Sequence, residues 1–268
     1  MSRNISVIGV GNMAKAIIGG ILGSDIALDK IFLFDKILES CSAFEHDDRF
    51  EVCDSIASAV QSADLVLLSV KPQNFPEVLE EIKNTPSFAD KLYISIAAGI
   101  SVKTVSDSLG GADVIRVLPN LPMTIGKGVS VICRNDAVRA DDFELVRSVF
   151  EASGSVVVID EVDMNKTIGV TSSSPAYVFK FIDAICKGAE AQGLDGASLV
   201  DTVCDMVIGS AMLLKSSSCT PAELITRVAS KGGTTEQALI KLNEGDFDEI
   251  IKNAMIACTA RADELGKQ

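Results

Sequence analysis

The chain has 268 residues, enough for about two domains at the usual ~150 residues each. Its 47% hydrophobic and 23% charged residues exclude a disordered or collagen-like polymer. Lys and Arg number 24 against 37 for Asp and Glu, and a net charge of −13 repels phosphate backbones and anionic lipids, so no nucleic acid and no membrane are expected as partners.

Chemistry-bearing residue types narrow the field further. The seven cysteines form no C-x-x-C pair and His46 is the only histidine, so no metal site is expected. An odd number of thiols without a signal-peptide pattern predicts a reduced, cytoplasmic protein. No apolar stretch of 18 residues stands out, so no transmembrane helix is expected. His46 sits in the polar stretch Glu45-His46-Asp47-Asp48 and reads as a surface residue.

Short runs rich in Val and Ile recur along the first 160 residues: Ile5–Val10, Ile31–Asp35, Leu65–Val70, Leu92–Ala97, Val114–Leu118, Val129–Cys133 and Val156–Ile159. Runs of this kind suit strands buried on both faces. Helical patterns lie between them, among them Asn12–Leu22, Phe75–Lys83 and Asp141–Ala152. The alternation predicts an α/β domain built on a mainly parallel, doubly wound sheet. After Asp163 only helical patterns follow: Ser174–Gln192, Gly196–Leu214, Pro221–Ala229, Glu236–Asn243 and Phe247–Leu265. In the last, Phe247, Ile250, Ile251, Ala254, Met255 and Cys258 recur at three- and four-residue steps. The expected division is 1–163, dinucleotide-binding, and 164–268, all-helical. Helices this apolar do not cover themselves, which predicts dimerisation through the second part.

Gly9-Val10-Gly11-Asn12-Met13-Ala14 follows the first strand and opens the first helix, the G-x-G-x-x-G/A pattern in its strand–turn–helix context. Gly9 permits the tight turn, Gly11 lets backbone approach a pyrophosphate, and Asn12 and Met13 begin a helix whose N-terminus attracts anions. Asp35 ends the second strand, where a carboxylate bonds the ribose of NAD. Lys36 beside it is suited to the extra phosphate of NADP, so NADPH and NADH both stay open.

Six ordered segments resemble one family, pyrroline-5-carboxylate reductase: Gly9–Ala14, Val70-Lys71-Pro72-Gln73, Ser95-Ile96-Ala97-Ala98-Gly99, Arg116–Pro122, Ser173–Phe179 and Ser230-Lys231-Gly232-Gly233-Thr234-Thr235. The resemblance implies a Rossmann domain followed by a helical domain that interlocks in a homodimer, with dimers often assembling into rings of five. It implies reduction of the C=N bond of 1-pyrroline-5-carboxylate to L-proline. Val70, Lys71, Pro72, Ala97 and Ala98 would line the nicotinamide side of the cofactor groove, with Lys71 orienting the cofactor, and Asn120 would be a polar contact nearby. Ser230, Gly232, Gly233, Thr234 and Thr235 would hold the substrate carboxylate, with the Thr235 hydroxyl near the imine nitrogen as the catalytic group.

Read physically, the same loop starts a helix, with Thr234 and Gln237 matching a capping box. The chain departs from the family pattern at Ser172, where glycine is usual, and at Lys231, where proline is usual. Two other readings are carried. One is a 3-hydroxyacid-type dehydrogenase using Lys166 or Lys180 as base, and the other is a dinucleotide sensor without turnover.

Overall fold

Runs of Val, Ile and Leu with no polar face are stable as strands only where both sides of a sheet are covered. In the computed structural model, which describes residues 3–266 apart from 27 and 45, that is how they are used. The strands are β1 (Arg3–Ile8), β2 (Leu28–Phe34), β3 (Phe50–Val52), β4 (Leu65–Leu68), β5 (Leu92–Ser95), β6 (Asp113–Leu118), β7 (Gly128–Arg134) and β8 (Gly154–Val158). Their order across the sheet is β3-β2-β1-β4-β5-β6-β7-β8. Each neighbouring pair is parallel except β6–β7. The run β3 to β6 has the dinucleotide-fold order, in which ligands bind beyond the carboxyl ends of the strands. All seven expected runs contain strands. The eighth strand, β3, spans three residues, too short to show a period.

In β4, Leu65 and Leu67 bury into one core layer, and Val66 and Leu68 into the other. Burying each such side chain contributes ~1.5–3 kcal/mol. Helix α1 (Asn12–Leu22) closes the first layer through Ala14, Ile17, Ile18 and Ile21, and α5 (Ala140–Glu151) joins it with Val146 and Phe150. The second layer takes Ile56, Ala59 and Val60 of α2 (Ile56–Gln61), Val78 and Ile82 of α3 (Phe75–Lys83), and Val105 of α4 (Val102–Ser108). Helices α2 and α4 were not expected from periodicity, because six and seven residues hold too few turns. Their starts are fixed by Ser55 and Ser101, whose side chains accept from Ser58 N and Thr104 N.

The chain continues through α6 (Glu161–Thr167), a π-helical turn (Ile168–Ser172), α7 (Ser174–Glu190), α8 (Val200–Ser216), α9 (Pro221–Val228), α10 (Thr234–Glu244) and α11 (Phe247–Leu265). Two compact units result: residues up to Ser173 together with those from Met255 onward, and Ser174–Ala254. Thus α11 gives its C-terminal part to the first unit.

That part of α11 is seated by two contacts. At Gly99, just beyond β5, φ is +82° and a Cβ would stand 2.5 Å from the Ala262 carbonyl oxygen, so only glycine fits there. Asn165 on α6 donates to Asp263 on α11 at 2.7 Å. Asn165 also accepts from Arg116 at 2.6 Å, and Arg116 on β6 pairs with Glu161 at 2.9 Å. The Arg116 side chain is only 2% exposed. The Glu161 carboxylate further accepts from Val102 N at the start of α4 and from the Cys133 thiol on β7. Burial, reinforced by that carboxylate, pushes the Cys133 thiol pKa well up, so the sulfur stays protonated and donates.

In the unit 174–254 many large apolar side chains face outward, including Phe179, Ile208, Met212 and Leu213. The 20-residue stretch Ala197–Ser216 contains an 18-residue window of mean hydropathy 1.6, long and apolar enough by length and composition to cross a membrane. This corrects the expectation that no such stretch exists. The sequence hides it because Asp201 and Asp205 interrupt the apolar run. His46 is exposed, as expected, while Glu45 beside it lies outside the described residues. So do residues 1, 2, 267 and 268, the outer limits of the expected division.

Removing Glu161 leaves a buried guanidinium without its counter-charge. Glu161→Ala is expected to cost about 2–4 kcal/mol, somewhat below the ~3–5 kcal/mol of a fully buried pair because Glu161 is 33% exposed. Urea unfolding of the variant against the parent checks the figure, and a loss below ~1 kcal/mol contradicts it.

Candidate active site

β1 stops at Ile8 because Gly9 turns the chain with φ +93°. A Cβ there would meet Ser69 O at 2.8 Å and Val70 Cγ1 at 2.9 Å, so the turn is packed against the residues following β4 and requires glycine. Gly11 is the N-cap of α1 and brings no side chain to the first-turn amides. A Cβ on Gly11 would find nothing within 4 Å, which leaves an open approach to the helix N-terminus. Ala14 is fully buried against the sheet. This is an anion cradle: backbone donors, the positive end of a helix dipole, and room for a diphosphate.

The cleft beside it has a volume of about 520 Å³ and is lined by Gly9, Gly11, Asp35, Lys36, Val70 and Lys71 among others. The Asp35 carboxylate accepts from Val10 N at 2.7 Å and from Ile37 N at 2.8 Å, fastening the glycine turn to the end of β2. Carboxylate oxygens each have two lone pairs, so a ribose hydroxyl can still be accepted. Lys36 reaches across to Glu77 on α3, with Nζ 2.9 and 3.0 Å from its two oxygens.

The other expected cofactor residues are placed differently. Asn12 lines a separate hollow of about 600 Å³ with Lys15 and Thr124, and Met13 packs half-buried against the core. Pro72 opens a 3-10 turn and borders a hollow of about 390 Å³. Ala97 is buried, and Ala98 lines an apolar hollow of about 340 Å³ with Cys258 and Leu265. Asn120 donates to Thr171 O at 3.0 Å and accepts from Val129 N at 2.8 Å, so its amide ties the loop after β6 to the π-helical turn. Within that turn the Ser172 hydroxyl is buried with no hydrogen-bond partner among the described residues. Sequence reasoning missed Gln73 and Asn74 as lining residues and Glu77 as the partner of Lys36. The nearest signal was their position in and just after the Val70–Gln73 segment.

In the second unit, Ser230–Thr235 links α9 to α10. The expected capping box of Thr234 and Gln237 does not form. Gly233 is the N-cap and Thr234 is already helical, so its hydroxyl is one position too far along to cap. Instead the Glu236 carboxylate accepts from Gly232 N at 2.7 Å, and Gly233 N donates to Ser230 O at 2.9 Å. Ser230, Lys231, Gly232 and Thr234 are exposed and Thr235 is half-buried. A capping box does form one helix earlier, between Thr220 and Glu223 of α9. Of the two lysines considered as bases, Lys166 pairs with Asp163 at 2.6 Å and Lys180 lies 3.8 Å from Asp183.

Asp35→Ala removes both bonds that fasten the glycine turn. The variant is expected to lose about 1.5–3 kcal/mol of stability, the range for a hydrogen-bonded charge. It should also bind dinucleotides of either kind more weakly. Denaturant unfolding and a fluorescence titration check both, and unaltered stability contradicts the fastening role.

Residues 161–265 match the family described as pyrroline-5-carboxylate reductase dimerisation, and residues 4–99 match one described as NADP oxidoreductase coenzyme F420-dependent. The outward apolar residues of the 174–254 unit thus fall within a dimerisation domain. The chain is 32% identical to the pyrroline-5-carboxylate reductase of Escherichia coli (strain K12), covering 100% of both chains. Its structure is similar to that of a pyrroline-5-carboxylate reductase from Coxiella burnetii, with TM-score 0.88, 30% identity and 100% of each chain covered. The fold is shared with Plasmodium falciparum pyrroline carboxylate reductase, solved with NADP bound, at TM-score 0.87, 23% identity and 98% of each chain. With full-length identity of this order, a sheet in the dinucleotide-binding order and a dimerisation domain after it in the sequence, the chain belongs to the pyrroline-5-carboxylate reductase family.

Proposed function

We propose that this protein reduces the C=N bond of 1-pyrroline-5-carboxylate to give L-proline, using NADPH or NADH. The observation that carries the reading is the full-length identity to reductases of that name, 32% over 269 residues. The cradle at Gly11, where no protein atom lies within 4 Å of the Cβ position, fits a dinucleotide diphosphate. When bound, the nicotinamide supplies the hydride.

The chain's own residues bind and orient. Gly9, Gly11, Asn12 and Met13 hold the diphosphate at the α1 N-terminus, while Asp35 and Lys36 face the adenosine ribose. Val70, Lys71, Pro72, Ala97, Ala98 and Asn120 are assigned to the nicotinamide side, Asn120 by bracing its loop. Ser230, Gly232, Gly233 and Thr234 take the substrate carboxylate. Support for that assignment is that Gly232 N already accommodates a carboxylate, that of Glu236, at 2.7 Å. Thr235 Oγ1 hydrogen-bonds the imine nitrogen, which takes its proton from water as the carbon is reduced. An imine that is readily protonated in solution needs no stronger acid from the protein. The division into a dinucleotide-binding part, 1–163, and a substrate-binding, dimerising part, 164–268, belongs to this proposal. So do a homodimeric enzyme and a cytoplasmic setting, the latter consistent with free thiols at Cys53, Cys133, Cys186, Cys204 and Cys219.

Oxidation of NADPH and of NADH by the purified protein, followed optically with and without 1-pyrroline-5-carboxylate, tests the reading. Substrate-dependent oxidation is expected. Dinucleotide binding without turnover overturns it in favour of a sensor. Thr235→Ala is expected to lower kcat about 10- to 100-fold, the range for losing a positioned hydrogen-bonding group. A fall beyond ~10⁴-fold would make Thr235 an obligatory acid instead.

A further inference from the structure

The charges at the β2 end of the cleft bear on which dinucleotide it prefers. Discrimination between NADPH and NADH turns on one group, a 2′-phosphate, which needs a cation. Among the described lining residues the cations are Lys36 and Lys71. Lys71 follows β4, which β1 separates from β2, so the cation at the ribose-reading end is Lys36. Its ammonium is already engaged by both oxygens of Glu77, at 2.9 and 3.0 Å. Glu77 stands in the first turn of α3, where the helix dipole favours a carboxylate independently of Lys36. The Asp35 carboxylate is held in place at the same end by Val10 N and Ile37 N. Lys36 is therefore flanked by two carboxylates, one next to it in sequence and one bonded to it.

We propose that Glu77 is a specificity-determining residue of the cofactor cleft. By holding Lys36 it competes with a 2′-phosphate for that ammonium, and so narrows the preference for NADPH over NADH. The inference rests on the reductase reading for its biological meaning, but not for its test. Both side chains are exposed, at 59% and 68%, so the competition is of modest size and readily reversed when a ligand binds.

The experiment is a fluorescence titration of the full-length protein with NADPH and NADH, repeated with 2′-AMP and 5′-AMP as competing fragments. It uses the parent, Glu77→Gln, Lys36→Met and the double variant. Glu77→Gln is expected to raise the NADPH-over-NADH ratio of affinities about 2- to 5-fold, with 2′-AMP tightening by a similar factor. In the Lys36→Met background the same change is expected to have no effect on that ratio. A ratio unmoved by Glu77→Gln overturns the inference, as does an effect that persists without Lys36. If the ratio moves as expected but no pyrroline is reduced, the reductase reading fails and the role of Glu77 stands. If the pyrroline is reduced and the ratio does not move, only the role of Glu77 fails. Binding of neither dinucleotide overturns both.

Discussion

A guanidinium that is almost fully buried must be matched by partners fixed in the same place, and Arg116 imposes that demand on the first unit. Both of its partners stand on one helix, and they extend the connection to other elements. Glu161 and Asn165 project from α6, and Glu161 in turn receives the first amide of α4 and the thiol of Cys133 on β7. Asn165 passes the connection on to Asp263 of α11. Displacing α6 uncovers a charge that the interior cannot solvate, so it is held against β6 by a penalty as much as by attraction. The part of α11 fixed in this way is the part that lies against Gly99. The turn assigned to the nicotinamide side is thereby backed by a network that starts at Arg116 and reaches it through α6 and α11.

The net charge of −13 and an anionic ligand are reconciled by geometry on a short scale. The N-terminus of α1 presents first-turn amides that carry no net charge, and the turn before it keeps its shape because Asp35 holds Val10 N from the end of β2. An acidic residue thus builds an anion site by fixing donors. Its own charge is spent on amides of the turn and of Ile37. The exposed pair of Lys36 and Glu77 then adjusts what the cleft tolerates at its outer end.

Much of this was legible in the sequence because it is written in local patterns. The runs at Leu65–Val70 and Val114–Leu118 read as covered strands from their length and branched residues, and the Gly9–Ala14 pattern names its own turn. The bounds of α1, α3 and α11 coincide with their apolar periodicity. Features set by tertiary partners were not legible. Asn120 reads as a ligand contact from its place after β6, yet its amide braces two segments whose proximity only the fold creates. Arg116 gives no hint of Glu161, 45 residues away. The helix start differs from the expected Thr234–Gln237 box because Gly233 takes the N-cap position, and Glu236, which bonds Gly232 N, resembles any first-turn acid.

The two glycine turns differ in how firmly they hold the carboxylate they already contain. Asp35 is part-buried where it meets Val10 N, and breaking that bond would strand an amide in the fold. Glu236 meets Gly232 N in an exposed setting, where water stands ready to replace either partner. Exchange of one carboxylate for another there leaves the number of hydrogen bonds unchanged and adds no desolvation. The first turn is therefore built to stay closed around its own acid while a ligand binds beside it. The second can release its acid to a carboxylate of similar shape, the property that the substrate role proposed for it requires.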